Sequence, residues 1–226
     1  MDAFDLVQTT ATIDPVDTRD SVDEFAVVRD LYRSAPPMDG PRVATGLEPG
    51  MPAPDFALPA ADGTIVQLSE LRGSPVALVF YPLDWSPGCS VQLELYEREY
   101  DEFASRGIRL LGISVDSIYS HGAWAAVRGI HYPLLSDFQP RGETARAYNV
   151  WRHADGHSER AVYLIDADGV IRWVHVSERL KELPDFDELV AALDLVAVGA
   201  DAVGADALGA DTVGADTEEH HEEVQQ

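Results

Sequence analysis

The chain contains a single cysteine, Cys89, in surroundings of a kind that activates a thiol. Residues 76–81 form an apolar run without helical periodicity, rich in β-branched and aromatic side chains, which predicts a strand buried on both faces. Pro82 ends that strand, residues 86–88 (Ser-Pro-Gly) supply turn and capping chemistry, and apolar residues then recur at helical spacing. Cys89 is therefore expected at a helix start, where unpaired N–H groups and the helix dipole favour a thiolate.

A lone cysteine leaves two interpretations open. It cannot form an intramolecular disulfide, and most free cysteines in soluble proteins are inert, buried, small hydrophobic residues. The alternative is a nucleophile, because a thiolate at a helix start is the reactive form of this side chain. The placement of Cys89 directly after a strand and behind Ser-Pro-Gly favours the nucleophile.

Pro82, Ser86 and Cys89 match the P-x-x-x-[TS]-x-x-C signature of peroxiredoxins, and the chain resembles that family over about residues 46–195. The similar segments lie at residues 50–56, 62–63, 68–73, 111–116, 133–137, 148–150 and 160–166. The resemblance implies an α/β, thioredoxin-like fold with a central mixed β-sheet flanked by helices. It also implies a thiol peroxidase that reduces hydrogen peroxide or organic hydroperoxides and requires no cofactor or metal.

The resemblance assigns a role to each residue of the motif. Cys89 would attack one peroxide oxygen in line with the O–O bond. Ser86, one helical turn earlier, would hold the peroxide along the attack line, and the backbone N–H groups of Gly88 and Cys89 would donate to the developing charge. Pro82 would shield the sulfur from water, although ending the strand is a sufficient reason for a proline there.

Outside the motif, the resemblance places an arginine at Arg160, whose guanidinium would face Cys89, stabilise the thiolate and polarise the peroxide. Without the resemblance, an arginine before an apolar strand is usually just solvated. Trp85 is expected to form a wall of the substrate pocket. Asp84, His153 and His157 lie near these residues in sequence or order, and no role is assigned to them.

Two departures from the family pattern bear on mechanism. Many relatives carry a glutamate three residues after the cysteine, where this chain has the uncharged Gln92. No resolving cysteine exists, including at Glu94, where one subgroup carries it. The resemblance therefore implies a one-cysteine mechanism, in which an external thiol or a redoxin reduces the sulfenic acid.

Two other functions compete with a peroxidase. Residues 85–89 also resemble the W-C-x-x-C motif of thioredoxins with the first cysteine replaced by Ser86, but that first cysteine is the attacking one in disulfide reduction. The stronger rival is a non-cycling peroxide sensor or binding module on the same fold. Turnover with a thiol donor separates the two, and the joint presence of Pro82, Ser86, Cys89 and Arg160 favours the enzyme.

The elements that position these residues follow from local patterns. A strand at 76–81, a helix from Cys89 to about residue 102 with Gly107 as its C-cap, and a strand over 108–115 form a βαβ unit, which predicts parallel pairing with helices on both faces of the sheet. Further predictions are hairpins over 56–58 with 64–68 and 160–165 with 170–176, and helices over 119–128, 144–148 and 184–196.

The flanking segments differ from this domain, which we place at residues 47–196. Residues 1–46 contain a capping box at 21–24 and one apolar helical face, so this extension is either a docked helix or a mobile arm. Residues 197–226 hold four near-copies of an Ala-Val-Gly-Ala-Asp pentapeptide and an acidic end, and a flexible, disordered tail is expected. His220 and His221 lie there without a fixed geometry and predict no metal site.

The most unusual feature of the composition is its large negative charge. Forty acidic residues against sixteen basic ones give a net charge of -24, and Lys181 is the one lysine. Such a surface repels nucleic acid and anionic membranes, and it resembles the surfaces of proteins from cells that hold molar salt. The sequence lacks a membrane-length apolar run and a basic signal-peptide start, so a cytoplasmic location is expected. The family resemblance allows a homodimer.

Overall fold

The structure, a computed structural model, describes residues 38–197. Its elements in chain order are β1 (Ala57–Pro59), β2 (Ile65–Gln67), a 3-10 helix (Leu68–Leu71), β3 (Val76–Phe80), α1 (Pro87–Arg98), α2 (Tyr100–Ala104), β4 (Arg109–Ser114), α3 (Ile118–Arg128), β5 (Leu134–Ser136), α4 (Glu143–Ala147), β6 (Trp151–Arg152), β7 (His157–Ser158), β8 (Ala161–Ile165), β9 (Ile171–Val176) and α5 (Phe186–Leu193). No helix within this range is long and apolar enough to cross a membrane.

A five-stranded mixed sheet with the order β5-β4-β3-β8-β9 forms the centre of the domain. The predicted βαβ unit is present, because β3 and β4 are parallel and β5 continues the parallel part. The predicted hairpin of β8 and β9 adds the antiparallel part, in which Phe80 pairs with Ala161. This pairing places the residues after Phe80 and those before Ala161 at the same end of the sheet.

The central strand divides the core into two clusters. All residues of β3 are buried, and alternate side chains point to opposite faces of the sheet. Val76, Leu78 and Phe80 pack in the cluster on one face. Ala77 and Val79 pack in the other cluster, which also contains Cys89. The predicted apolar strand therefore contributes side chains to both clusters of the core. Cys89, which follows this strand in the chain, packs in one of them.

Local differences from the predicted elements have tertiary causes. The helix expected to run unbroken to residue 102 is interrupted at Glu99, whose backbone is not helical (φ -101, ψ 24). The interruption lets α2 turn so that Phe103 packs on Tyr96, with ring centroids 6.0 Å apart. The small β6–β7 sheet was not expected, because each strand has only two residues.

Residues 38–46, assigned above to the N-terminal extension, lie along the domain. The Arg42 N–H donates to the Glu178 carbonyl (2.8 Å), and the Val43 N–H donates to the buried Glu159 carboxylate (2.7 Å). Glu159 also forms an ion pair with Arg152 at 3.0 Å. The predicted N-terminal helix and the pentapeptide tail lie outside the described residues.

Gly142 is a position where both backbone conformation and space require glycine. Its φ is +68, and a Cβ there would lie 2.2 Å from the Trp151 ring. Gly63 is a matched control, because its φ is +85 and no atom lies within 4 Å of the Cβ position. Gly63→Ala should lower the free energy of unfolding by the left-handed strain alone, about 1–2 kcal/mol.

Gly142→Ala should add about 1–3 kcal/mol of overpacking to that strain. Denaturant unfolding of both variants measures the difference. Equal losses in the two variants would contradict a rigid contact between Gly142 and Trp151.

Candidate active site

Cys89 is the third residue of α1, as the sequence predicts for a helix start. Its side chain has no exposed surface. The first hydrogen bond of the helix runs from the Ser90 N–H to the Ser86 carbonyl at 2.9 Å. The N–H groups of Gly88 and Cys89 precede that bond and therefore have no acceptor within the helix. Cys89 thus lies at the electropositive end of α1, where its N–H groups remain available to an incoming oxygen.

Ser86 occupies the N-cap position of α1 but does not cap the helix. Serine at this position usually accepts a hydrogen bond from a first-turn N–H group, yet the Ser86 side chain makes no such bond. Its Oγ atom is buried and has no hydrogen-bond partner in the described part of the chain. A buried hydroxyl without a partner is costly, so this group is available to hydrogen-bond a bound molecule.

Arg160 lies against the start of α1 with only 1% of its surface exposed. Its Nε donates to the Leu180 carbonyl at 3.0 Å, and its Nη1 donates to Gln92 Oε1 at 2.5 Å. A Cβ built on Gly88 would lie 3.0 Å from Nη2. The antiparallel pairing of β3 with β8 produces this proximity, because Arg160 directly precedes β8. The structure therefore brings the predicted arginine to the residue next to Cys89.

The Arg160 guanidinium has no carboxylate partner among residues 38–197, since both of its acceptors are neutral carbonyl oxygens. Gln92 in turn donates from Nε2 to the Tyr96 hydroxyl at 3.2 Å. Burial raises the pKa of Tyr96 to about 12, so this phenol stays protonated at neutral pH. Buried charges are normally compensated, and the site therefore favours negative charge at Cys89 or on a bound substrate.

The other predicted residues belong to the loop between β3 and α1. Pro82 is buried directly after the strand, and Trp85 is half-buried and packs against the core cluster that contains Cys89. Both positions fit the shielding and wall-forming roles that the resemblance implies. His157 lies in β7 with Nδ1 2.8 Å from the Ser158 carbonyl, and His153 is exposed beside Trp151.

Two groups that hold Arg160 were not identified from the sequence. Gln92 was noted only as a departure from the family pattern, although the spacing of four residues from Tyr96 on a helix could have indicated their contact. The Leu180 carbonyl is a backbone atom of a distant loop, and no side-chain pattern could have indicated it. Residues 38–197 contain no group of side chains arranged to hold a metal ion.

Comparisons with known proteins agree with this fold. The AhpC/TSA family model matches residues 49–174. The chain is 32% identical over 152 residues to Peroxiredoxin 2 of Thermoplasma acidophilum, covering 64% of this chain and 75% of that protein. It is 35% identical over 133 residues to alkyl hydroperoxide reductase E of Mycobacterium tuberculosis, covering 58% of this chain and 87% of that protein.

Comparisons with solved structures also find peroxiredoxins. Peroxidoxin BcpB from Mycobacterium tuberculosis matches with a TM-score of 0.60 and 32% identity, over 67% of this chain and 99% of that one. The reduced 2-Cys peroxiredoxin of Plasmodium vivax matches with a TM-score of 0.60 and 32% identity, over 66% and 81%. The fold is thus thioredoxin-like and the enzyme is a thiol peroxidase. The chain belongs to the AhpC/TSA family, the peroxiredoxins, and its single cysteine fits the one-cysteine type.

The contact between Gly88 and Arg160 can be tested by adding one methyl group. Gly88→Ala would place a Cβ 3.0 Å from Nη2 and so displace the guanidinium from the start of α1. We expect slower oxidation of Cys89 by hydrogen peroxide, with a change in stability of no more than about 1 kcal/mol, because the helix preference of alanine offsets the strain at Arg160. Stopped-flow kinetics and denaturant unfolding measure the two effects.

Gly122→Ala in α3 is the matched control, since its Cβ would contact only the Ala61 side chain at 3.8 Å. It should keep the wild-type oxidation rate. A wild-type rate in Gly88→Ala as well would show that the position of the guanidinium does not limit the reaction.

Proposed function

We propose that Cys89 is the peroxidatic residue of this thiol peroxidase, acting without a second cysteine. Its thiolate attacks one oxygen of a hydroperoxide and the O–O bond breaks. Cys89 becomes a sulfenic acid, and the other oxygen takes up a proton and leaves as water or an alcohol. The observation that carries the proposal is the Ser86 hydroxyl, buried and without a partner at the N-cap position directly before the helix of Cys89.

The surrounding groups supply what this displacement needs. The Ser86 hydroxyl and the N–H groups of Gly88 and Cys89 can donate to the peroxide oxygens and hold them in line with the sulfur. The buried Arg160 guanidinium stabilises the thiolate and the charge that develops on the departing oxygen. Pro82 and Trp85 exclude water from the reaction.

Regeneration must come from outside the chain, because Cys89 is the single cysteine. A small thiol or a redoxin attacks the sulfenic sulfur to form a mixed disulfide and release water, and a second thiol reduces that disulfide. Since Cys89 has no exposed surface, the loop of residues 81–86 must shift before either reactant reaches the sulfur.

A single experiment tests nucleophile and cycle together. Reduced protein mixed with hydrogen peroxide in high-salt buffer should show a fast, peroxide-dependent change in tryptophan fluorescence and a mass increase of one oxygen at Cys89. Cys89→Ser should show neither change. Added thiol should restore the reduced mass, and repeated additions of peroxide should then be consumed.

Two results would contradict the proposal. Oxidation of the wild type no faster than that of a free thiol would mean that Cys89 is not activated. Oxidation that no thiol reverses would indicate a non-cycling sensor instead of an enzyme.

We further propose that the enzyme works in the cytoplasm of a salt-rich cell. The support is the net charge of -24 with one lysine, because such a surface repels itself at low ionic strength and is screened at high salt. A homodimer, which the family resemblance allows, would be stabilised by salt in the same way.

Salt should therefore stabilise the fold. We expect the thermal unfolding midpoint and the peroxidase rate to rise as potassium chloride is increased from low to molar concentration. Differential scanning calorimetry and peroxide consumption measure the two quantities, with a peroxiredoxin of near-zero net charge as the control. A midpoint that is independent of salt would contradict adaptation to a saline cell.

A further inference from the structure

The loop that leads to the active site contains a buried carboxylate, Asp84, for which the mechanism above has no use. Only 5% of its surface is exposed. The Tyr81 hydroxyl donates to Oδ1 at 2.9 Å, the Ser120 hydroxyl donates to Oδ2 at 2.7 Å, and His121 Nδ1 lies 3.0 Å from Oδ2. No arginine or lysine in residues 38–197 forms an ion pair with Asp84. A buried carboxylate whose neighbours are two hydroxyl groups and an imidazole, without a guanidinium or ammonium partner, is energetically costly and therefore requires an explanation.

The donors tie the loop to the neighbouring βα junction. Ser120 and His121 belong to the first turn of α3, which follows β4. The Asp84 N–H donates to Asp116 Oδ2 at 2.8 Å, so the backbone of the loop is held at the same junction. Burial and the nearby Asp84 charge raise the pKa of Asp116. We refer to Tyr81, Asp84, Asp116, Ser120 and His121 as the Asp84 cluster.

The cluster holds the next residue in an unfavourable conformation. Trp85 has a φ of +63, in the left-handed region that side chains other than glycine rarely adopt. Such a conformation costs about 1–3 kcal/mol and persists only where the surroundings determine it. The Trp85 Nε1 donates to the Ser120 hydroxyl at 3.2 Å, and Ser120 donates in turn to Asp84. Ser120 therefore couples the strained residue to the buried carboxylate.

The strained residue directly precedes the active site. Trp85 is followed by Ser86, the N-cap residue of α1. The Ser86 hydroxyl is the buried group without a partner that was described above. Relaxation of φ at Trp85 would rotate the chain that follows it and move the Ser86 hydroxyl relative to Cys89. The geometry points to Asp84 and Ser120 as positioning residues, which act through Trp85 to aim Ser86 and the start of α1 at the peroxide. This inference rests on the proposed function of Cys89.

The test compares two reactions of the same thiol. Both reagents reach the buried sulfur only when the loop shifts, but hydrogen peroxide also requires placed donors around its oxygens, whereas iodoacetamide alkylates the thiolate without them. Ser120→Ala removes the link to Trp85. Asp84→Asn replaces one acceptor oxygen by an amide that cannot accept from the same donors. In both variants the peroxide rate itself should fall about 10- to 100-fold without a matching fall in the iodoacetamide rate, so the ratio of the two rates, measured by intact mass after quenching, falls with it.

Two further variants separate positioning from mere stability. Ser120→Thr keeps the hydroxyl and should restore the wild-type ratio. Asp137→Asn is the matched control, because Asp137 is also a buried carboxylate but accepts from the Thr144 and Ala145 N–H groups at the start of α4. It should lower stability and leave the ratio unchanged.

Three outcomes would overturn the inference. Two of them would leave the proposed function intact, and the third would overturn that function as well. Parallel changes of both rates in Ser120→Ala and Asp84→Asn would reduce the cluster to a structural role. An equal fall of the ratio in Asp137→Asn would do the same. If the wild type itself reacts with peroxide no faster than a free thiol, the proposed function fails before any variant is compared, and the positioning role fails with it.

Discussion

A buried guanidinium without a carboxylate partner is the constraint on which the rest of the site depends. Arg160 is held by two neutral carbonyl oxygens, and it faces the start of a helix, which is itself electropositive. Two sources of positive potential therefore converge in a part of the core from which water is excluded. Such an arrangement favours negative charge, and Cys89 lies at this helix start.

The mixed sheet makes this convergence possible. Cys89 reaches the site from β3 through a loop, and Arg160 reaches it from the other direction at the start of β8. The register in which Phe80 pairs with Ala161 brings these two points together, although they are far apart in sequence. A shift of one residue in that register would exchange the faces of β8 and direct the chain before it differently. The proximity of Arg160 to the start of α1 therefore depends on this strand register.

Local patterns in the sequence were sufficient to predict much of this arrangement. The apolar run of β3, the helix start at Cys89 and the hairpin of β8 and β9 all follow from periodicity and turn residues. Arg160 required the family resemblance, because its proximity to Cys89 depends on pairing between distant strands. The Asp84 cluster could not be predicted, since the partners of Asp84 other than Tyr81 lie in a segment distant in sequence, from Asp116 to His121. The break at Glu99 likewise depends on packing between Tyr96 and Phe103.

The same loop must be rigid for one half of the cycle and open for the other. Hydrogen peroxide is small, so a minor shift of residues 81–86 would admit it, and in the proposed mechanism tight placement of Ser86 then favours attack by Cys89. The reductant is larger and must reach a sulfur that has no exposed surface, so its reaction requires a wider opening of the loop. The strain stored at Trp85 lowers the cost of that opening, because the loop gains backbone freedom when the Asp84 cluster releases it. On the positioning role inferred above, the same cluster would therefore affect both the attack on peroxide and the reduction of the oxidised enzyme.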